Sequence, residues 1–142
     1  MFKQKHIVNM MILFLIIIKH IVMPVCRYIN RISYGEDWKG FYQCDPRSFN
    51  QTATQEQLNL VLGGTMCMWG EWVDNSNILS RTFPRGAAPA ERLWSAKEIN
   101  NVNFMRPRLN DHRCRMAARG YPAEPSMKKG YCKHEYKHKQ RY

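Results

Sequence analysis

Apolar positions crowd the start of the chain and then thin into short clusters. Met10 to Ile18 form an unbroken apolar run, preceded by basic residues and interrupted by Lys19 and His20. The run is shorter than the roughly 20 apolar residues that a membrane-spanning helix needs. Its basic and apolar regions resemble a signal peptide that lacks a clear small-x-small cleavage site. Its β-branched core reads equally as a buried strand, and an origin outside the native coding sequence is a third reading. From Tyr28 the texture becomes globular, with Gly35 in an expected turn. The stretch TATQEQLNLVLGG predicts a short helix feeding a strand over Leu58–Leu62 that ends on Gly63 and Gly64. AERLWSA and PRLNDHRCRMAARG predict helices, the second closed by Gly120. Strand, loop and helix in that order make the tail of a β/α unit.

At 142 residues the chain has the size of one modest domain. Its formal charge of +11 invites a nucleic-acid or anionic-membrane reading. Much of that excess lies in the last fifteen residues (Lys128, Lys129, Lys133, Lys137, Lys139, Arg141), as in a solvated tail. No recognition helix, finger or stacking motif accompanies it, which argues against nucleic acid. Five cysteines (Cys26, Cys44, Cys67, Cys114, Cys132) occur without a CxxC. Cys132, His134, His138, His112 and Cys114 form a loose set whose spacing fits no structural zinc pattern, so no metal or other cofactor is expected. A disulfide is the better use of at least two cysteines. The sequon Asn50-Gln51-Thr52 agrees with a secretory route.

GGTMCMWGEWVD, residues 63 to 74, mixes two indoles with two carboxylates just after a predicted strand. A core segment rarely does so, because a buried carboxylate needs a partner. A sugar site does: an indole covers the apolar face of a pyranose, and a carboxylate accepts hydrogen bonds from hydroxyls. The plainer alternatives are Trp69 as a core residue and Glu71 as the partner of Arg81 or Arg85.

Four ordered stretches, RYINRISYGEDWKGFY, LVLGGTMCMWGEWVDNSNIL, FPRGAAPAERLWS and HRCRMAARG…GYCKHE, resemble the C-terminal part of lysosomal β-N-acetylhexosaminidases. The resemblance runs from about Cys26 to Glu135, leaving residues 1–25 as an apolar segment outside it and 26–142 as part of a glycoside hydrolase catalytic domain. It implies a (β/α)8 barrel, of which a chain this short holds the last two strand–helix units plus a C-terminal extension. The segment ending at Tyr28 would belong to the seventh strand and LNLVLGG to the eighth, with site residues at their carboxyl ends. By the same resemblance Trp69 packs on the sugar ring, Glu71 binds its outer hydroxyls and Tyr28 holds the acetamido group. Asn30 and Arg31 are similar to the α-subunit pair that favours anionic substrates, a task suited to a guanidinium. The likeness also implies a dimer contact at Tyr34 and a Cys114–Cys132 disulfide. On the residues alone, Arg31 and Tyr34 read as surface positions.

The family's substrate-assisted chemistry uses an adjacent Asp-Glu pair, unlike the usual pair of enzyme carboxylates. No Asp-Glu dipeptide occurs here; Glu36-Asp37 has the reverse order. Arg27 replaces a pocket-lining aromatic residue, and Thr65 replaces an acidic one. Pro89 falls inside the expected eighth helix, where it is expected to shorten or kink it. Pro107 is expected in the tolerant first turn of the next helix. The reading is a fragment of a hexosaminidase-like glycosidase of the lysosomal or secretory pathway, carrying binding residues but no acid catalyst. Its expected partners are N-acetylhexosamine-terminated glycans or glycolipids and, in the whole enzyme, a second subunit. The alternatives are a non-catalytic carbohydrate-binding or interaction fragment and, more distantly, a basic protein held at a membrane surface by the N-terminal run.

Overall fold

The computed structural model describes residues 21–24, 28–128 and 131–133. The Met10–Ile18 run, Arg27, His134 and His138 lie outside them. Strands β1 (Ile21–Pro24) and β2 (Val61–Thr65) pair in parallel. Parallel neighbours cannot be joined by a tight hairpin. The chain therefore crosses over through α1 (Trp38–Tyr42), a 3-10 turn at Pro46–Phe49 and α2 (Gln55–Asn59). Val22 stands opposite Gly63 and Pro24 opposite Thr65, after an irregularity between Ile21 and Val22.

β2 differs from the expected Leu58–Leu62. Helix α2 takes Leu58 because a capping box fixes its first turn: Gln57 N–H donates to Thr54 Oγ1 at 3.3 Å, and Thr54 N–H donates to Gln57 Oε1 at 3.0 Å. The strand starts after that helix and runs through the two glycines rather than stopping at them. Tyr28 likewise lies beyond the end of β1 rather than at it.

Past β2 come α3 (Ile78–Thr82), α4 (Ala87–Trp94) and α5 (Val102–Ala118). The two prolines exchange their expected roles. Pro89 falls in the first turn of α4, where an N–H would have no intrahelical acceptor, so it is compatible with the helix and is buried. Pro107 lies in the interior of α5, because Asn101 caps that helix earlier than expected by accepting from Asn103 N–H at 2.9 Å. A proline there removes one helical hydrogen bond. Gly120 closes α5 at φ +86°, the left-handed conformation that glycine adopts without cost. Tyr121 N–H reaches Met116 O at 3.1 Å and Gly120 N–H reaches Ala117 O at 3.0 Å, the paired bonds of a Schellman end.

The core lies between α1, α4 and α5: Trp38 and Tyr42, Ala88, Met105 and Leu109 are all buried. Its polar edges are satisfied, since Trp38 Nε1–H donates to Ser126 O at 2.9 Å and Tyr42 O–H to Glu91 Oε1 at 3.1 Å. Cys114 and Cys132 are disulfide-bonded, tying the segment after α5 back to it. Among the described residues no helix is long and apolar enough to cross a membrane.

Candidate functional site

Beyond the carboxyl ends of the two strands, the rings of Tyr28 and Trp69 meet edge to face, 6.0 Å between centroids and 75° between planes. Ile29 N–H donates to Cys67 O at 3.1 Å, joining the segment after β1 to the segment after β2. Ile29 is fully buried, whereas its neighbour Tyr28 is carried outward. Tyr28 is 45% exposed and Trp69 51% exposed. Trp69 is therefore not a core residue, and its surface is available to a flat apolar partner. The described part of the protein thus has an aromatic corner where side chains from two strand ends converge.

The carboxylates of the same stretch divide their work. Asp74 is used by the backbone: its Oδ1 accepts from Ser76 N–H at 2.8 Å and Ser76 Oγ–H at 2.5 Å. Those hydrogen bonds hold its carboxyl below the usual range, against a small opposing effect of burial. Asn77 completes the turn, accepting from Asp74 N–H at 2.9 Å and donating to Trp72 O at 3.0 Å. Glu71 stands exposed and makes no ion pair among the described residues. Neither suggested partner takes it, because Arg85 is bound to Asp37 and Glu124 and Arg81 makes no salt bridge among the described residues.

Asn30 and Arg31 follow on the Tyr28 side. Asn30 Oδ1 is buried and has no donor within the described residues, a costly state for an amide oxygen. Arg31 extends at the surface, and Tyr34 is 99% exposed beside a cleft of about 630 Å³ lined also by Glu36, Arg106, Ser126 and Lys128. The Glu36-Asp37 pair belongs to the scaffold. Glu36 accepts from Arg106 Nε–H at 3.0 Å and Nη2–H at 2.9 Å, and also pairs with Lys39. Burial alone would raise its pKa, but those two cations outweigh it and hold the carboxyl below its ordinary value. Glu124 is the described carboxyl pushed upward, chiefly by burial. It lies 2.9 Å from Arg85 Nε, committed to an ion pair rather than to the aromatic corner.

Arg85 is the residue that sequence reasoning underrated, offering it only as a counter-ion for Glu71. Its guanidinium is buried behind the Tyr28–Arg31 loop and bonds to two of that loop's carbonyls. An arginine among small and apolar residues in FPRGAAPAERLWS was the available signal, since a buried charge has to be paired.

Residues 19–97 match the catalytic domain of glycosyl hydrolase family 20, and the chain belongs to that family. The match takes in residues 19–25, which the sequence reading sets apart. Among relatives, the chain is 46% identical over 117 residues to beta-hexosaminidase subunit beta of Felis catus, covering 82% of this chain and 22% of that one. It is 46% identical over 109 residues to subunit alpha of Mus musculus, covering 77% and 20% of the two chains. Against subunit beta of Homo sapiens it is 43% identical over 115 residues, covering 81% and 20%. The chain thus spans about a fifth of the length of these curated relatives.

Proposed function

We propose that this chain is the sugar-binding closing portion of a β-N-acetylhexosaminidase, a glycosidase that removes terminal N-acetylhexosamine from glycoconjugates. On this reading β1 and β2 are the last two strands of a (β/α)8 barrel, and α5 with its disulfide-tied tail is the C-terminal extension. The observation that carries it is the Tyr28–Trp69 corner beyond two parallel strand ends, with Glu71, exposed and without an ion pair among the described residues, two residues on. Tyr28 steadies the acetamido group, Trp69 covers the ring face and Glu71 accepts from the outer hydroxyls. Exposed Arg31, with the amide N–H groups of Asn30 as further donors, binds an anionic substituent. Tyr34 contacts a second subunit.

The acid chemistry is supplied elsewhere. Residues that bind ground state and transition state alike do not speed cleavage, and no Asp-Glu pair is present to orient the acetamido group and protonate the leaving oxygen. The protein acts in the lysosomal or secretory pathway. Asn50 there carries a glycan, on a surface turn where its Oδ1 accepts from Thr52 N–H at 3.0 Å and Thr52 Oγ1–H at 2.8 Å. Titration of the chain with N-acetylglucosamine, followed by nuclear magnetic resonance, tests the reading. Saturable shifts at Trp69 and Tyr28 that vanish in Trp69→Ala are expected. Shifts unaffected by Trp69→Ala, or none in the native chain, would contradict it.

A further inference from the structure

The loop from Tyr28 to Asp37 has little hydrogen bonding of its own: Arg31 N–H reaches Tyr28 O at 3.3 Å, and Ser33 N–H reaches Asp37 Oδ2 at 3.3 Å. Most of its side chains are exposed. What it does have is a buried cation beneath it. Arg85 Nη2–H donates to Ile29 O at 2.8 Å, and Nη1–H donates to Arg31 O at 3.1 Å, so the carbonyls on both sides of Asn30 are held by one plane. Nη1 also meets Asp37 Oδ2 at 2.8 Å, which anchors the far end of the loop. The other edge is fixed to the body of the protein: Nη2–H donates to Arg81 O at 2.5 Å, and Nε lies 2.9 Å from Glu124 Oε1. The Nε contact is ionic rather than a directed hydrogen bond, because that N–H does not point at the carboxylate.

We propose that Arg85 is a positioning residue, its guanidinium setting the course of the loop that bears Tyr28, Asn30 and Arg31 and so the Tyr28 side of the sugar site. The consequence for sugar binding rests on the function proposed above; the clamp itself does not. Ile29 is pinned on both faces, by Arg85 at its carbonyl and by Cys67 O at its N–H, so its neighbour Tyr28 has a fixed origin from which to reach Trp69. A lysine cannot replace this. It keeps the charge, but three donors at one point cannot serve four separated acceptors that a planar fork reaches together.

The test compares the full chain with Arg85→Lys by amide hydrogen exchange and by N-acetylglucosamine titration of the same samples. Exchange across 28–37 is expected to rise about tenfold or more, the factor expected from losing a single charge-assisted hydrogen bond. Protection in α5 stays as it was, and the affinity for N-acetylglucosamine falls. Unchanged exchange across 28–37 would overturn the clamp, and so would an equal loss in α5, which marks general destabilisation. Native-level sugar affinity in a variant whose loop has been released would overturn the positioning role. A native chain that ignores the sugar removes the functional reading and leaves the exchange comparison to decide the clamp.

Discussion

Breaking the Cys114–Cys132 bond separates what the bridge does to the unfolded chain from what holds the tail in the folded one. The bond spans 18 positions. On the chain-entropy account, closing a loop of that size stabilises the fold by about 3 kcal/mol. The tail has other attachments in the folded state. Trp38 Nε1–H donates to Ser126 O at 2.9 Å, Glu124 N–H donates to Phe83 O at 3.0 Å, and Arg113 Nε–H donates to Ala123 O at 3.3 Å. These remain when the bridge is gone; the buried Arg113 Nη1–H loses its contact with Cys132 Sγ at 2.7 Å, and the rest of the loss should enter through the denatured ensemble. The perturbation is the double variant Cys114→Ala/Cys132→Ala, which leaves no lone thiol at the buried 132 position. Urea unfolding without reductant is expected to show a loss of about 3 kcal/mol. The denaturant slope should rise, because the uncrosslinked chain exposes more surface. Near-ultraviolet circular dichroism should stay as in the native chain, reporting an undisturbed Trp38. A loss below about 1 kcal/mol with an unchanged slope would refute the entropic reasoning, and loss of the dichroism signal would refute the claim that the tail is independently anchored.

Leu109→Ala, at a side chain 1% exposed in the core, should cost about 2–5 kcal/mol in the same unfolding assay; a change within error would mean that this core does not set stability. Glu36 has a folded pKa held below its unfolded value. Its contribution is therefore present above the unfolded pKa and fades as pH falls through that value toward the folded one. Glu36→Gln should flatten the acid limb of a stability–pH curve, and an equally steep limb would refute the linkage. Within a complete catalytic domain, Arg31→Leu should reduce turnover of a 6-sulfated substrate far more than that of its neutral analogue. Equal losses on both would remove the anion role.

The segments that sequence placed best were those with strong local chemistry. Gly120, read as a C-cap, located the end of α5, and AERLWSA covered the last turn of α4 and ran two residues past its end. The boundary at β2 was misplaced because periodicity cannot separate a short apolar run from a helix; the Thr54–Gln57 cap decided it. The prolines were misjudged for a related reason: their tolerance depends on where each helix starts, and Asn101 and Gly86 set those starts. At the candidate site, composition alone drew attention to Trp69 and Glu71, while Tyr28, Asn30 and Arg31 came from family resemblance. Arg85 was underrated because two of its acceptors are backbone carbonyls far away in sequence. No side-chain pattern announces such partners.

Hydrolysis of a chromogenic N-acetylglucosaminide by the purified 142-residue chain tests whether the proposed binding residues work without an acid of their own. A positioned acid is typically worth about 10²–10⁴-fold in rate, and β2 in the isolated chain has a neighbour on one side only among the described residues. No measurable release of chromophore is expected. Robust hydrolysis that disappears in Glu71→Gln would contradict it and make Glu71 the catalyst.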